Sequence, residues 1–208
     1  ILENKELLSK FAANPKLIEM IKADPELAKK IKANPKLIGR TYAAAIERGA
    51  KSESKGDDFY FEVVAPKLRD SRVDEMLNDP LFDSDSPNDS TLKKSLEVHR
   101  YLTDLFSEMS GKNNRSLASK YLHFHRRKAF FIYDSRAEKA ASHWVKYPNK
   151  DILSGIDCDP VYGTFLCRIR ELRQFLAESP YAQSNRDDCL DPRDIDNFLL
   201  WSFNRISR

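Results

Sequence analysis

No run of about 18 consecutive apolar residues occurs in this sequence, so no transmembrane helix is expected. Nothing near its start reads as a signal peptide. Glycine is scarce, at 6 of 208 residues, while 32% of residues are charged. That balance fits helices better than a turn-rich β fold. Cysteine is confined to Cys158, Cys167 and Cys189, an odd count without CxxC spacing. The count argues against a disulfide framework or a zinc module and predicts free thiols, buried or half-buried, in a reducing compartment. Glycine-rich phosphate loops, dinucleotide fingerprints and HExxH are all missing, and no cofactor is expected. The chain is long enough for one good core with a small appendage. These features predict a soluble, intracellular, all-α protein.

What is present is an uneven distribution of charge. The formal net charge is only +3, yet residues 112–150 carry ten Lys/Arg against Asp134 and Glu138. That block is +8 and the remainder of the chain is −5. Residues 51–90 are acidic, with eleven Asp/Glu against five Lys/Arg. A positive block on a nearly neutral protein marks a surface for an anionic partner, unless it is merely a solvated helix face.

The N-terminus is repetitive. Asn14-Pro15-Lys16-Leu17, Asp24-Pro25-Glu26-Leu27 and Asn34-Pro35-Lys36-Leu37 recur every ten residues. Asn or Asp caps a helix there and Pro takes its first position, ending the helix before it. Residues 1–40 are therefore expected to form short proline-capped helices that rest on the body or on a protein partner. Residues 41–208 are expected to form the main domain. Within it, 41–49 reads as a helix and 50–58 as a charged loop. A helix over 57–68 carries Phe59, Phe61, Val63 and Val64, and 79–90 forms a loop ending in a cap signal. Leu92, Leu96, His99, Leu102, Leu105, Phe106 and Met109 keep helical spacing over 91–109. After a loop at 111–115, Ser116 to His125 forms a short helix, and Phe130, Phe131 and Ile132 an extended step. Ser135 opens the next helix with a capping-box pattern, and 147–160 is loop. A helix over 161–178 buries Phe165, Leu166, Ile169, Leu172, Phe175 and Leu176. The last begins at Asp191-Pro192 and buries Ile195, Phe198, Leu199 and Trp201. The total is seven or more helices and no sheet.

Chemistry is expected between Ser119 and Ser135. A lysine near a helix start, Lys120, lies among positive helix-end N–H groups, and Arg126, Arg127 and Lys128 add to that field if they fold nearby. Such surroundings ease access to the neutral amine, which is a nucleophile. Asp134 follows the apolar step. If Ser135 caps the next helix, the Asp134 carboxylate is available for other work; if Asp134 is the cap, its role is structural. His123 and Phe124 share the face of Lys120. Tyr121, Tyr133 and Trp144 lie close in sequence, although each aromatic is also of the type that fills an ordinary core. His123 and His125, two apart on a helix, point to different faces, and no metal site is expected. Ser119 and Lys120, being adjacent, do not face each other as a Ser–Lys dyad would.

The pattern Ser119-Lys120-Tyr121-Leu122-His123-Phe124-His125, followed by Tyr133-Asp134-Ser135, resembles the helix-hairpin-helix DNA glycosylases, in particular their divergent 8-oxoguanine DNA glycosylase-like branch. The likeness spans roughly residues 90–206 and is strongest over 116–137. It implies a compact multi-helix fold in which Lys120 attacks C1′ of a flipped nucleotide, with a Schiff base opening a route to strand cleavage. It also implies that Asp134 steadies the developing oxocarbenium charge. The base pocket would draw on Tyr121, His123, Phe124, Tyr133 and Trp144. Where that family has a Leu-Pro-Gly-Val-Gly hairpin, this chain has Ser110–Arg115 with one Gly and no Pro. Lys112, Asn113, Asn114 and Arg115 would then grip phosphate through side chains, with Arg126, Arg127, Lys128 and Arg136 completing the DNA contact. The resemblance implies duplex DNA as partner, in repair or in defence against modified foreign DNA, and a cytoplasmic or nucleoid-associated location. Two other readings are a nucleic-acid-binding module without catalysis and a protein-interaction module built on the N-terminal repeats.

Overall fold

The computed structural model describes residue 46, residues 59–84, 87–177 and 191–206. The proline-capped repeats, the charged loop at 50–58, Cys189 and the boundary at residue 40 lie outside the described residues. Seven α-helices and no strand occur among those described. They are α1 (Ala65–Arg69), α2 (Val73–Leu77), α3 (Asp89–Ser110), α4 (Arg115–His125), α5 (Ser135–Trp144), α6 (Pro160–Ala177) and α7 (Pro192–Ile206). A π-helical turn over Tyr60–Val64 leads into α1, and single 3-10 turns lie at Pro80–Asp83 and Asp151–Leu153.

The long helix α3 organises the rest. The Asn88 side chain caps it by accepting the Thr91 N–H at 3.0 Å. Gly111 ends it with φ of 70°, a left-handed conformation that a side chain would strain, and donates its N–H to Ser107 O. Its buried face serves two cores. Val98, Leu102 and Phe106 pack with Phe59, Val64, Leu77, Phe82, Leu117, Leu122 and Phe130. Leu92 and Leu96 pack with Phe131, Ala137, Ala141, Tyr162, Phe165, Leu166, Ile195 and Leu199. The division falls between two neighbours in the extended step: Phe130 enters the first core and Phe131 the second. Alternation of side chains along extended backbone sends them to opposite sides.

Aspartate side chains set the starts of the last three helices. Asp159 Oδ1 accepts the N–H groups of Val161 and Tyr162 at 3.0 and 2.9 Å, and Pro160 opens α6. Asp191 Oδ1 likewise accepts from Arg193 and Asp194, with Pro192 opening α7. Helix α5 packs against both α6 and α7. His99 of α3 stacks on Tyr162 at a centroid separation of 3.6 Å, and its Nε2 donates to Arg115 O.

Two residues expected in the core are exposed instead. Phe175 is 61% and Trp201 50% exposed. The buried stripe of α7 runs through Pro192, Ile195, Leu199 and Ser202, which places Trp201 at its edge; there its ring meets Phe198 at a tilt and lies under Arg205. Cys167 is buried, Cys158 is half-buried, and both are free thiols.

Candidate functional site

Lys120 is the sixth residue of α4, not a first-turn residue as the sequence pattern suggested. The helix begins at Arg115, so the helix-end N–H groups lie more than a turn away and their field has faded. What acts on the amine is burial: the residue is 3% exposed. Desolvation pushes its pKa below the ordinary lysine range, Asp134 opposes that shift, Arg136 adds to it, and Asp196 opposes it. Nζ donates to Ser116 Oγ at 3.1 Å. The serine that faces Lys120 is thus the one four residues back, as helix geometry requires, and not its neighbour Ser119.

Ser119 has a different task. Its Oγ donates to Ser116 O at 3.0 Å and accepts the Tyr133 N–H at 3.0 Å. That bond pins the extended step beside α4 just before Asp134. Asp134, not Ser135, caps α5: its Oδ1 accepts the N–H groups of Arg136 and Ala137, both at 2.9 Å. The other oxygen, Oδ2, faces the Arg136 guanidinium at 3.5 Å. Both oxygens of the carboxylate are thus engaged, Oδ1 by the helix start and Oδ2 by Arg136, which is the structural role weighed for Asp134.

A third charged group, Asp196, is felt by Lys120. Asp196 of α7 is 7% exposed, and its Oδ2 accepts from Arg193 at 3.0 Å. Burial raises its carboxyl pKa, Arg193 opposes that, Asp134 adds to it, and Lys120 and Arg136 oppose it. Sequence reasoning placed Asp196 only within the terminal helix of the resemblance. The available signal was its position: Asp196 lies on the face shared by Ile195 and Leu199, where a carboxylate is unusual. The void lined by Phe131, Ile132, Phe165, Pro192, Ile195 and Asp196 has no room for a water molecule. The site is closed in this conformation.

The expected pocket residues disperse. Tyr121 is buried in the first core, edge-on to Phe106 and against His125, and burial raises its phenol pKa. It is a core residue. His123 is buried, and Nδ1 donates to Phe130 O at 2.8 Å. Burial lowers its pKa, which favours the neutral ring with Nε2 as acceptor. Phe124 is exposed beside His123. Tyr133 is half-buried, edge-on to Phe165 and beneath Arg115. Trp144 lies at the far end of α5, where its Nε1–H donates to Ser202 Oγ at 2.7 Å. Tyr121 and Trp144 therefore do not line a pocket at Lys120.

The expected phosphate grip also divides. Arg115 makes a two-bonded ion pair with Asp159, both bonds 2.9 Å, and Asn113 donates to the same carboxylate. Asn114 donates to Ser110 Oγ at 2.6 Å. Arg126 donates to Leu77 O and Asp83, which ties α4 to the end of α2. These four hold the fold together. Lys112, Arg127, Lys128 and Arg136 are exposed.

Among the described residues no three His, Cys, Asp or Glu side chains converge as a metal site would need, and no helix is long and apolar enough to cross a membrane. No known protein family matches the chain, and neither a curated protein nor a solved structure is similar to it.

Proposed function

We propose that this protein is a DNA glycosylase in which Lys120 attacks C1′ of a flipped nucleotide and Asp134 supports the reaction. The observation that carries this reading is the burial of Lys120, whose amine feels the charges of Asp134 and Asp196. A desolvated lysine reaches the neutral, nucleophilic amine more readily than one in water. In the proposed step its lone pair forms the N–C1′ bond while the glycosidic pair departs with the base, which takes up a proton. Positive charge grows on the sugar as that bond breaks, and the Asp134 carboxylate stabilises it. Loss of a proton from the attached nitrogen and ring opening then give a Schiff base, the route to strand cleavage.

Two further features support the reading. Helices α3 and α4 pack together across a four-residue connection, Gly111–Asn114, as the proposed reading would need of its hairpin. Exposed Arg127, Lys128 and Arg136 supply cations for phosphates near the site. Lys120 is closed off from solvent, so a nucleotide reaches it only when the covering chain moves aside.

Incubation with duplexes containing modified bases should release a base and leave an abasic site or a break. Borohydride should then trap a covalent protein–DNA adduct. Lys120→Gln should abolish trapping while leaving the melting temperature unchanged or higher, since it removes a buried charge. Base release and trapping that survive in Lys120→Gln would show that the nucleophile is misassigned. Salt-sensitive binding without any base release would favour a binding module instead.

A further inference from the structure

The chain has two tryptophans, Trp144 and Trp201, and they share one surface. Trp144 ends α5, about 15 Å along the helix from Asp134. Its bond to Ser202 Oγ fixes the indole against α7. The Phe198 ring links the two indoles, with its centroid 5.6 Å from that of Trp144 and 6.0 Å from that of Trp201. Three aromatic rings thus run side by side across two helices. Rings of this size are ordinarily buried, yet Trp144 is 45% and Trp201 50% exposed. Tyr147, three residues beyond α5, is 83% exposed. Cations accompany these rings. Arg205 lies 4.4 Å over Trp201 and Lys146 5.3 Å over Tyr147. His143 meets Trp144 edge-on, and exposed Lys139 lies one turn before it. No Asp or Glu occurs in 139–150 or in 197–206. Of the acids beside this part of α5, Glu138 pairs with Arg168 and Glu171 accepts the Asn149 N–H. Asp194 and Asp196 of α7 lie near its other end.

We propose that this surface, formed where the end of α5 meets α7, binds unpaired nucleotides of single-stranded DNA or RNA. The exposed indoles stack on bases, and Lys139, Lys146 and Arg205 take the phosphates between them. Only an unpaired base offers a free face to such a ring, because a duplex already stacks its bases on one another. A lipid surface would call for a broad aliphatic face, and α7 turns Ile195 and Leu199 inward instead. The site is separate from Lys120 and does not rest on the glycosylase reading.

Because both tryptophans belong to this surface, intrinsic fluorescence reports on it alone. Oligothymidylate or oligouridylate, neither of which pairs with itself, should quench the emission to saturation. The stronger of the two tells DNA from RNA. The logarithm of the binding constant should fall against that of salt with a slope of about −2, the value for three phosphate contacts on a single strand. Trp201→Ala should weaken binding of a labelled oligonucleotide by about tenfold or more, and Trp201→Phe should keep most of it. Lys139→Glu combined with Arg205→Glu should weaken it and flatten the salt slope. These side chains are exposed, and thermal melts check that each variant folds. Lys120→Gln should bind as wild type does, so failure of the glycosylase reading leaves this result standing. No quenching by either oligonucleotide overturns the proposal, as does equal quenching by a duplex of the same length. Unchanged affinity in folded Trp201→Ala overturns it too. Quenching by phosphatidylserine vesicles but by neither oligonucleotide would make this a lipid-binding surface instead.

Discussion

Asp159 shows how much one side chain can hold. It caps α6, receives both arms of Arg115, and accepts from Asn113. Burial alone would raise its carboxyl, but the bonds from Arg115, Tyr162 N–H and Asn113 outweigh it and hold the pKa at about 2. Asp159→Ala leaves Arg115 without its partner in a half-buried place, which should cost about 3 kcal/mol. Calorimetry should record a melting temperature lower by about 6–12 °C. None of this was legible from the chain, because Arg115 and Asp159 are far apart in sequence and either charge could have faced solvent. The same holds for the burial of Asp196, which depends on Phe131, Ile132 and Phe165 from other parts of the chain. Lys120 and Asp134, by contrast, could be singled out from their local setting. Even there the cause differed: Lys120 is perturbed by burial in mid-helix, which periodicity does not reveal.

At the scale of elements, the sequence was a good guide wherever a cap or a period marks a boundary. The spacing from Leu92 to Met109 predicted α3, and Asp191-Pro192 predicted the start of α7. What periodicity left open was how deeply each face is covered, hence the exposure of Phe175 and Trp201. The joint that matters most for the proposed function is the tie from α4 to the extended step, made by Ser119. Ser119→Ala leaves the Tyr133 N–H without its acceptor in a part-buried place, at a cost of about 1.5 kcal/mol. If the protein is the glycosylase proposed, the effect on reaction should exceed that on stability, because this contact holds the step that carries Asp134 against the helix that carries Lys120. Single-turnover trapping should slow by about 10–100-fold, while the melt moves by only a few degrees. An equal loss in a variant that weakens the fold elsewhere by the same amount would remove the special role of Ser119.

For the molecule as a whole, acid should be the sharpest challenge. His99 is fully buried between α3 and α6, and burial lowers its pKa from 6.5 to about 4. The unfolded chain therefore binds a proton that the folded chain refuses. The resulting stability is present above about pH 6.5 and is lost as pH falls toward about 4. It amounts to roughly 3 kcal/mol. Asp159, with its carboxyl at about 2, contributes a further loss below about pH 4. Urea titrations from pH 7 to 4 should show the midpoint falling throughout this range, and His99→Phe should flatten the upper part. A midpoint independent of pH between 6.5 and 4 would show that His99 is protonated without penalty.

The division of the interior between Phe130 and Phe131 has one more consequence. The turn at Arg126–Ala129 acts as a counting device, because the ring that enters each core is chosen by parity along the extended step. Adding or removing one residue in that turn would exchange the destinations of the two rings and rotate Asp134 away from Lys120. Changes of length there are thus far more constrained than changes of composition at its exposed residues, Arg127 and Lys128.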